Sequence, residues 1–202
     1  VIVAGFGRYG QIVARTLLAQ GIACTVLDHD AEMIEAARNF GYRVFYGDAT
    51  RLDLLRTAGA GHARVLVLAV DDVGQSLEIV DLVRAHFPQI EIVARARDVT
   101  HWNQLRDRGV MRVQRELFES SLRSARSVLE LLGQTEAEAR QTAGRFRTHN
   151  LALFEQLHPH YKDQAKLIAV VKQGRRQLEE QMAQERAQAA IAPSAGEPHR
   201  DG

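Results

Sequence analysis

Through the first hundred residues, short runs of β-branched and aliphatic residues alternate with longer stretches in which apolar residues recur at helical spacing. The runs are VIVAG (1–5), ACTVLD (23–28), RVFYG (43–47), RVLVLAV (64–70) and EIVARA (91–96). Between them Ile12, Val13, Thr16 and Leu17, and later Leu77, Val80, Leu82 and Val83, fall on one helical face each. Strands alternating with helices predict right-handed crossovers and a mostly parallel sheet covered on both sides. The fold class is α/β, a Rossmann-like doubly wound parallel sheet. Gly21, Gly41, Gly59 and Gly109 each follow a helical stretch and precede a new strand or apolar segment, as C-cap glycines do.

After about residue 115 the strand signals stop. ELFESSLRSARSVLELLG places Leu117, Phe118, Leu122, Ala125, Val128, Leu129 and Leu132 along one helical face and ends at Gly133. Thr135 with Glu138 three residues on forms a capping box, which opens a second helix running to about Leu157, before Pro159. An αα arm is therefore attached to the sheet domain. Residues 160–187 carry a thin apolar stripe (Ile168, Val171, Leu178, Met182) amid heavy charge, which fits a partner-dependent helix or a solvated one. AAIAPSAGEPHRDG (189–202) reads as a disordered end. The predicted organisation is a nucleotide-binding domain over 1–115, a helical arm over 116–158 and a polar tail over 159–202.

Chemistry enters at the first turn. Gly5-Phe6-Gly7-Arg8-Tyr9-Gly10 matches G-x-G-x-x-G directly after a strand and directly before a helix. Its first glycine permits the tight turn, the second lets a phosphate approach the backbone, and the third lets helix and strand pack closely. The helix N-terminus then offers N–H groups and positive potential to that phosphate. Asp28 ends the second strand, where a carboxylate accepts hydrogen bonds from ribose hydroxyls; His29 and Asp30 beside it supply no arginine for a 2′-phosphate, so NADP is disfavoured. Asp30 also suits the N-cap of the next helix. YGDAT (46–50) and AVDD (69–72) lie at the C-terminal ends of the third and fourth strands, the edge at which open α/β sheets bind ligands. Asp48, with Ala49 beside it, either touches the nucleotide or caps a helix beginning near Arg51, and Asp71 and Asp72 are equally open.

The remaining composition narrows the class. With 26 Lys and Arg against 25 Asp and Glu in 202 residues, no global field recruits nucleic acid or an anionic membrane. The single cysteine, Cys24, sits in an apolar run and excludes an internal disulfide. No apolar stretch approaches the roughly 20 residues of a membrane span, so a soluble piece is expected. The chain opens inside a strand with no initiator Met, which suggests a piece of something longer. A dehydrogenase would need an acid or base beside the nicotinamide. His62, His86, His101, His149, His158 and His160 are scattered, with neither a catalytic pairing nor metal-ligand spacing. The cradle reads as one that holds a nucleotide without using it, and no metal site is predicted.

Taken together, VIVAGFGRYGQ, VLDHD, FGYRVFYGDATRLDLLRTAGA, FPQIEIVARARD and RELFESSL resemble the C-terminal nucleotide-binding regulatory domain, of the KTN or RCK type, of the Kef glutathione-gated potassium efflux systems. The resemblance runs in order over roughly residues 1–157. It implies a homodimer in which the αα dimerisation arm crosses to the partner subunit, with an adenine nucleotide, AMP or NAD(H), in each cradle, and a membrane antiporter domain preceding this piece in the parent chain. It implies a location at the cytoplasmic face of the bacterial inner membrane. It further implies a glutathione site on Arg15, Arg115 and Asn150, chemically apt because arginines receive carboxylates as charge-assisted forks and an amide pairs with peptide. Phe40 corresponds to an aromatic on which bulky glutathione adducts would push, shifting closed gates to open ones. A flavodoxin-like quinone-reductase ancillary subunit is a further implied partner. Two other classes stay open: a nucleotide sensor of another potassium transport system, and a truncated NAD-dependent dehydrogenase.

Overall fold

The computed structural model describes residues 1–191, which divide into two compact units, Val1–Ser120 and a second beginning at Ser121. The predicted disordered end falls largely outside the described residues.

The first unit is a six-stranded sheet of β1 (Ile2–Ala4), β2 (Thr25–Asp28), β3 (Arg43–Tyr46), β4 (Val65–Leu68), β5 (Glu91–Ala96) and β6 (Arg112–Arg115). All neighbouring strands are parallel, in the order β3-β2-β1-β4-β5-β6, the doubly wound arrangement whose order reverses between β1 and β4. Helices α1 (Arg8–Ala19), α2 (Ala31–Asn39), α3 (Leu52–Thr57), α4 (Val73–His86) and α5 (Val99–Asp107) connect them. β1 is buried along its whole length, as its unbroken apolar run requires in a sheet covered on both faces. Beneath it Val3, Phe6, Ala14, Val26, Ala37 and Tyr42 form one core cluster, with the Phe6 and Tyr42 rings edge-on at 5.4 Å.

Five of these strands coincide with the runs picked out by sequence pattern. β6 does not: Arg-Val-Gln-Arg offers one aliphatic residue, and as an edge strand it buries too little to impose an apolar signature. The glycines predicted to end helices all adopt positive φ, from 71° at Gly21 to 98° at Gly133.

In the second unit, α7 (Glu136–Leu157) opens on the expected capping box, with the Thr135 hydroxyl accepting from the Glu138 N–H and the Glu138 carboxylate accepting from the Thr135 N–H at 2.7 Å. A 3-10 turn (His158–His160) leads into α8 (Gln164–Ile191). Gly174 of α8 is buried on α7; a side chain there would bring its Cβ within 2.7 Å of Leu153 Cδ1. The thin stripe is therefore supplemented by a glycine contact that periodicity does not reveal. α6 (Phe118–Leu131) precedes this pair and buries none of its residues; Val128 and Leu131 of its apolar face are exposed.

One buried titratable group stabilises the first unit. His101 on α5 accepts the Arg97 N–H at Nδ1 (3.2 Å), so its proton sits on Nε2 and is donated to the buried Ser76 hydroxyl of α4 at 3.1 Å. Burial pushes its pKa below the ordinary 6.5, with Asp98 opposing the shift and Arg95 adding to it. A depressed histidine binds its proton more readily in the unfolded chain, so its contribution is present above pH 6.5 and is lost as pH falls below that value. Denaturant titrations from pH 7.5 to 5.5 should show stability falling with pH, and His101→Gln should flatten that slope; an unchanged slope in the variant would remove His101 as its source.

Candidate functional site

The C-terminal ends of β1 to β4 open on a cleft of 440 Å³, within the range of small-ligand sites. The loop after β1 contributes Gly5 and Gly7, that after β2 Asp28, His29 and Asp30, that after β3 Gly47 and Ala49, and that after β4 Val70, Asp71 and Asp72. Met33 of α2 and Gln75 of α4 close its sides.

Close approach of backbones builds the cradle. Gly5 has φ 93°, and a Cβ there would lie 2.8 Å from the Ala69 carbonyl carbon. A Cβ on Gly10 would run into the Gly5 carbonyl oxygen, so only glycine lets α1 start this close to the end of β1. Gly7 differs: it is the N-cap of α1 at φ −67°, and a Cβ would meet nothing within 4 Å. Its missing side chain leaves room in the cleft itself. Because Gly7 supplies no capping oxygen and no acidic residue stands in the first turn of α1, the N–H groups of that turn are left for an anion.

Asp28 ties the cradle to the second strand. Its Oδ2 accepts the Phe6 N–H at 2.6 Å and its Oδ1 the Asp30 N–H at 2.8 Å. A carboxylate has about four acceptor positions, so two remain for the paired hydroxyls of a ribose. Asp30 caps α2, accepting from Glu32 and Met33 N–H. Asp72 caps α4 through the Gln75 N–H at 2.7 Å.

The structure separates residues that the motifs grouped together. Gly5, Gly7, Asp28, His29, Asp30, Ala49 and Asp71 line the cleft, whereas Phe6, Arg8, Tyr9, Gly10 and Asp48 do not. The Phe6 side chain is core, fully buried, and its N–H is held by Asp28. Asp48 neither lines the cleft nor caps α3, whose N-cap is Arg51. It accepts the Thr50 N–H and the Gln75 side-chain amide, both at 2.9 Å, bracing the β3 loop against α4. The Thr50 bond, more than offsetting partial burial, holds its carboxyl below the ordinary 3.8. Sequence reasoning missed Met33 and Gln75 as cleft residues; their signal is position, on the first turn of each helix that follows a lining loop.

Of the residues implied for glutathione, Arg15 is exposed on α1 and Arg115 half-buried at the end of β6, both in the first unit; Asn150 is half-buried on α7 in the second. Phe40, the C-cap of α2, is 58% exposed rather than packed in the core. Among the described residues, no group of three or more His, Cys, Asp or Glu is placed to hold a metal ion.

The TrkA-N domain model matches residues 1–116, and the model of the potassium efflux system KefB C-terminal domain matches residues 120–201. The chain belongs to the TrkA-N family. Its TrkA-N portion and the segment that follows are together 48% identical to the glutathione-regulated potassium-efflux system protein KefC of Salmonella arizonae, over 92% of this chain. The chain spans only 30% of that relative's length. A solved Kef C-terminal domain from Shewanella denitrificans, in an AMP-bound form, superposes with a TM-score of 0.73 at 42% identity, covering 78% of this chain and 96% of that one. The TrkA-N domain of the inner membrane protein ybaL from Escherichia coli superposes at 0.57 with 30% identity, covering 65% and 94%. The chain is thus a TrkA-N domain of the Kef type with the Rossmann-like sheet that its motifs predict.

The two glycines give a clean separation of folding from binding. Gly7→Ala should fold with stability within about 0.5 kcal/mol of the parent yet bind AMP about tenfold more weakly or worse, as measured by calorimetry. Gly10→Ala should itself lose about 1–3 kcal/mol by overpacking. Undiminished AMP binding by Gly7→Ala would mean that no phosphate sits in the cradle.

Proposed function

We propose that this chain is the cytosolic regulatory part of a potassium efflux system, holding an adenine nucleotide in the cleft and sensing glutathione or its adducts. The observation that carries the reading is the cleft: a glycine cradle with a ribose-competent Asp28, in a chain 42% identical to a Kef domain solved with AMP. The relatives named as glutathione-regulated support the second ligand. Arg115 suits it: burial lowers its pKa, and its guanidinium lies 3.9 Å from the Phe118 ring centroid, which presents the fork in a fixed orientation. Arg15 and Asn150 would supply the remaining carboxylate and amide contacts. Phe40, exposed beside Gly41, is accessible to a bulky thiol substituent.

In this reading glutathione favours the closed gate and electrophile-derived adducts the open one, by differential affinity for two states. The gate belongs to an N-terminal antiporter domain of the same parent chain at the inner membrane, the domain here acts as a homodimer, and a quinone-reductase-like subunit is a candidate partner. The reading is regulatory, not enzymatic; turnover of NADH with a carbonyl substrate would favour a dehydrogenase instead.

Titration of glutathione into the AMP-loaded protein should give saturable binding, lost in the Arg115→Ala, Asn150→Ala double variant while AMP binding persists. AMP binding without glutathione binding would leave a nucleotide sensor of another potassium transport system.

A further inference from the structure

On β5, Arg95 is the one arginine among the described residues that is buried. Its side chain is 9% exposed and reaches three other elements at once. Nη1 donates to the Ala69 carbonyl at 3.3 Å and to the Asp71 carboxylate, both just beyond β4. Nη2 donates to Glu116 Oε2 at 2.7 Å, just beyond β6. The guanidinium carbon lies 5.8 Å from the ring centroid of Tyr9, in the first turn of α1.

The two carboxylates face different surroundings. Asp71 lines the nucleotide cleft and its side chain is 80% exposed, so it can swing into water at little cost. Glu116 lies outside the cleft with a side chain 25% exposed; its N–H is held by the Ala96 carbonyl at 3.0 Å, and it stands two residues before α6. A buried guanidinium cannot simply lose a carboxylate, because an uncompensated buried charge is strongly unfavourable. When a phosphate-bearing ligand enters beside Asp71, like charges repel and Asp71 is pushed from Arg95 toward solvent. Arg95 must then lean more heavily on Glu116. Two discrete arrangements follow, Arg95 shared between the carboxylates or committed to Glu116, and a ligand at the cleft biases the choice.

We propose that Arg95 is a positioning residue that couples the nucleotide cleft, through Asp71 and Tyr9, to the chain's exit from the sheet at Glu116. The proposal rests on the adenine-nucleotide reading above. Coupling in binding free energy is reciprocal, so Glu116, which touches no ligand in the cleft, must influence nucleotide affinity. Neutralising Glu116 leaves Asp71 as the one carboxylate on the buried Arg95, so a ligand that displaces Asp71 strands an uncompensated buried charge and binds more weakly.

The test is calorimetric titration of AMP into the whole chain, its Glu116→Gln variant and Arg95→Gln with and without Glu116→Gln. Glu116→Gln is expected to weaken AMP binding about fivefold or more, and that loss is expected to vanish in the Arg95→Gln background. Should Arg95→Gln fail to fold, as thermal unfolding will report, Asp71→Asn serves as the background, since a ligand then has no carboxylate to push off Arg95. Unchanged or tighter AMP binding in Glu116→Gln, or a loss that persists undiminished in that background, would overturn the coupling while leaving the nucleotide site intact. Absence of AMP binding in the parent would overturn the nucleotide reading and the coupling together.

Discussion

The cleft depends on how closely α1 starts beside the end of β1. Gly5 and Gly10 leave no room for a side chain between them, and that contact places the first-turn N–H groups of α1 at the edge where the strand order reverses. Asp28 extends the constraint to β2 by taking the Phe6 N–H, while Phe6 itself anchors the loop from below, edge-on to Tyr42 in the core. A loop fixed by sterics above and aromatic packing below needs little reordering when a phosphate arrives, which limits the entropic cost of binding.

The opposite half of the sheet is organised by charge. The C-terminal ends of β4, β5 and β6 are joined by Arg95 with Asp71 and Glu116. Burial alone would lower the arginine's pKa, but its hydrogen bonds to Glu116 and Asp71 outweigh that and hold it above the ordinary value. Tyr9, its neighbour, is pushed up by burial despite the cation, so it stays a neutral phenol. One side of the switch point is thus an open, ligand-ready cradle and the other a satisfied ion cluster, with Asp71 belonging to both.

Much of this was legible in the sequence, for physical reasons. Inner strands such as VLVL announce themselves because both faces are buried, and the capping box and terminal glycines because backbone groups at helix ends admit few solutions. β6 escaped because an edge strand of Arg-Val-Gln-Arg carries no such signature. Asp48 was ambiguous because a carboxylate after a strand serves a ligand or a helix cap with equal local plausibility, and its bond to the Gln75 amide, 27 positions away, is invisible to local pattern. Arg95 was invisible for the same reason: ARARD reads as surface charge until the two neighbouring strands bring in their carboxylates. Arg15, Arg115 and Asn150 acquire meaning through resemblance rather than periodicity, since each alone is an ordinary polar residue on a strand or helix.

The most direct measurement is hydrogen exchange of backbone amides with and without AMP. Protection is expected at the first-turn amides of α1, Gly7 to Gly10, and around Asp28 to Asp30, with little change on α7. Protection absent from those segments, or found only elsewhere in the chain, would contradict a nucleotide held by the glycine cradle.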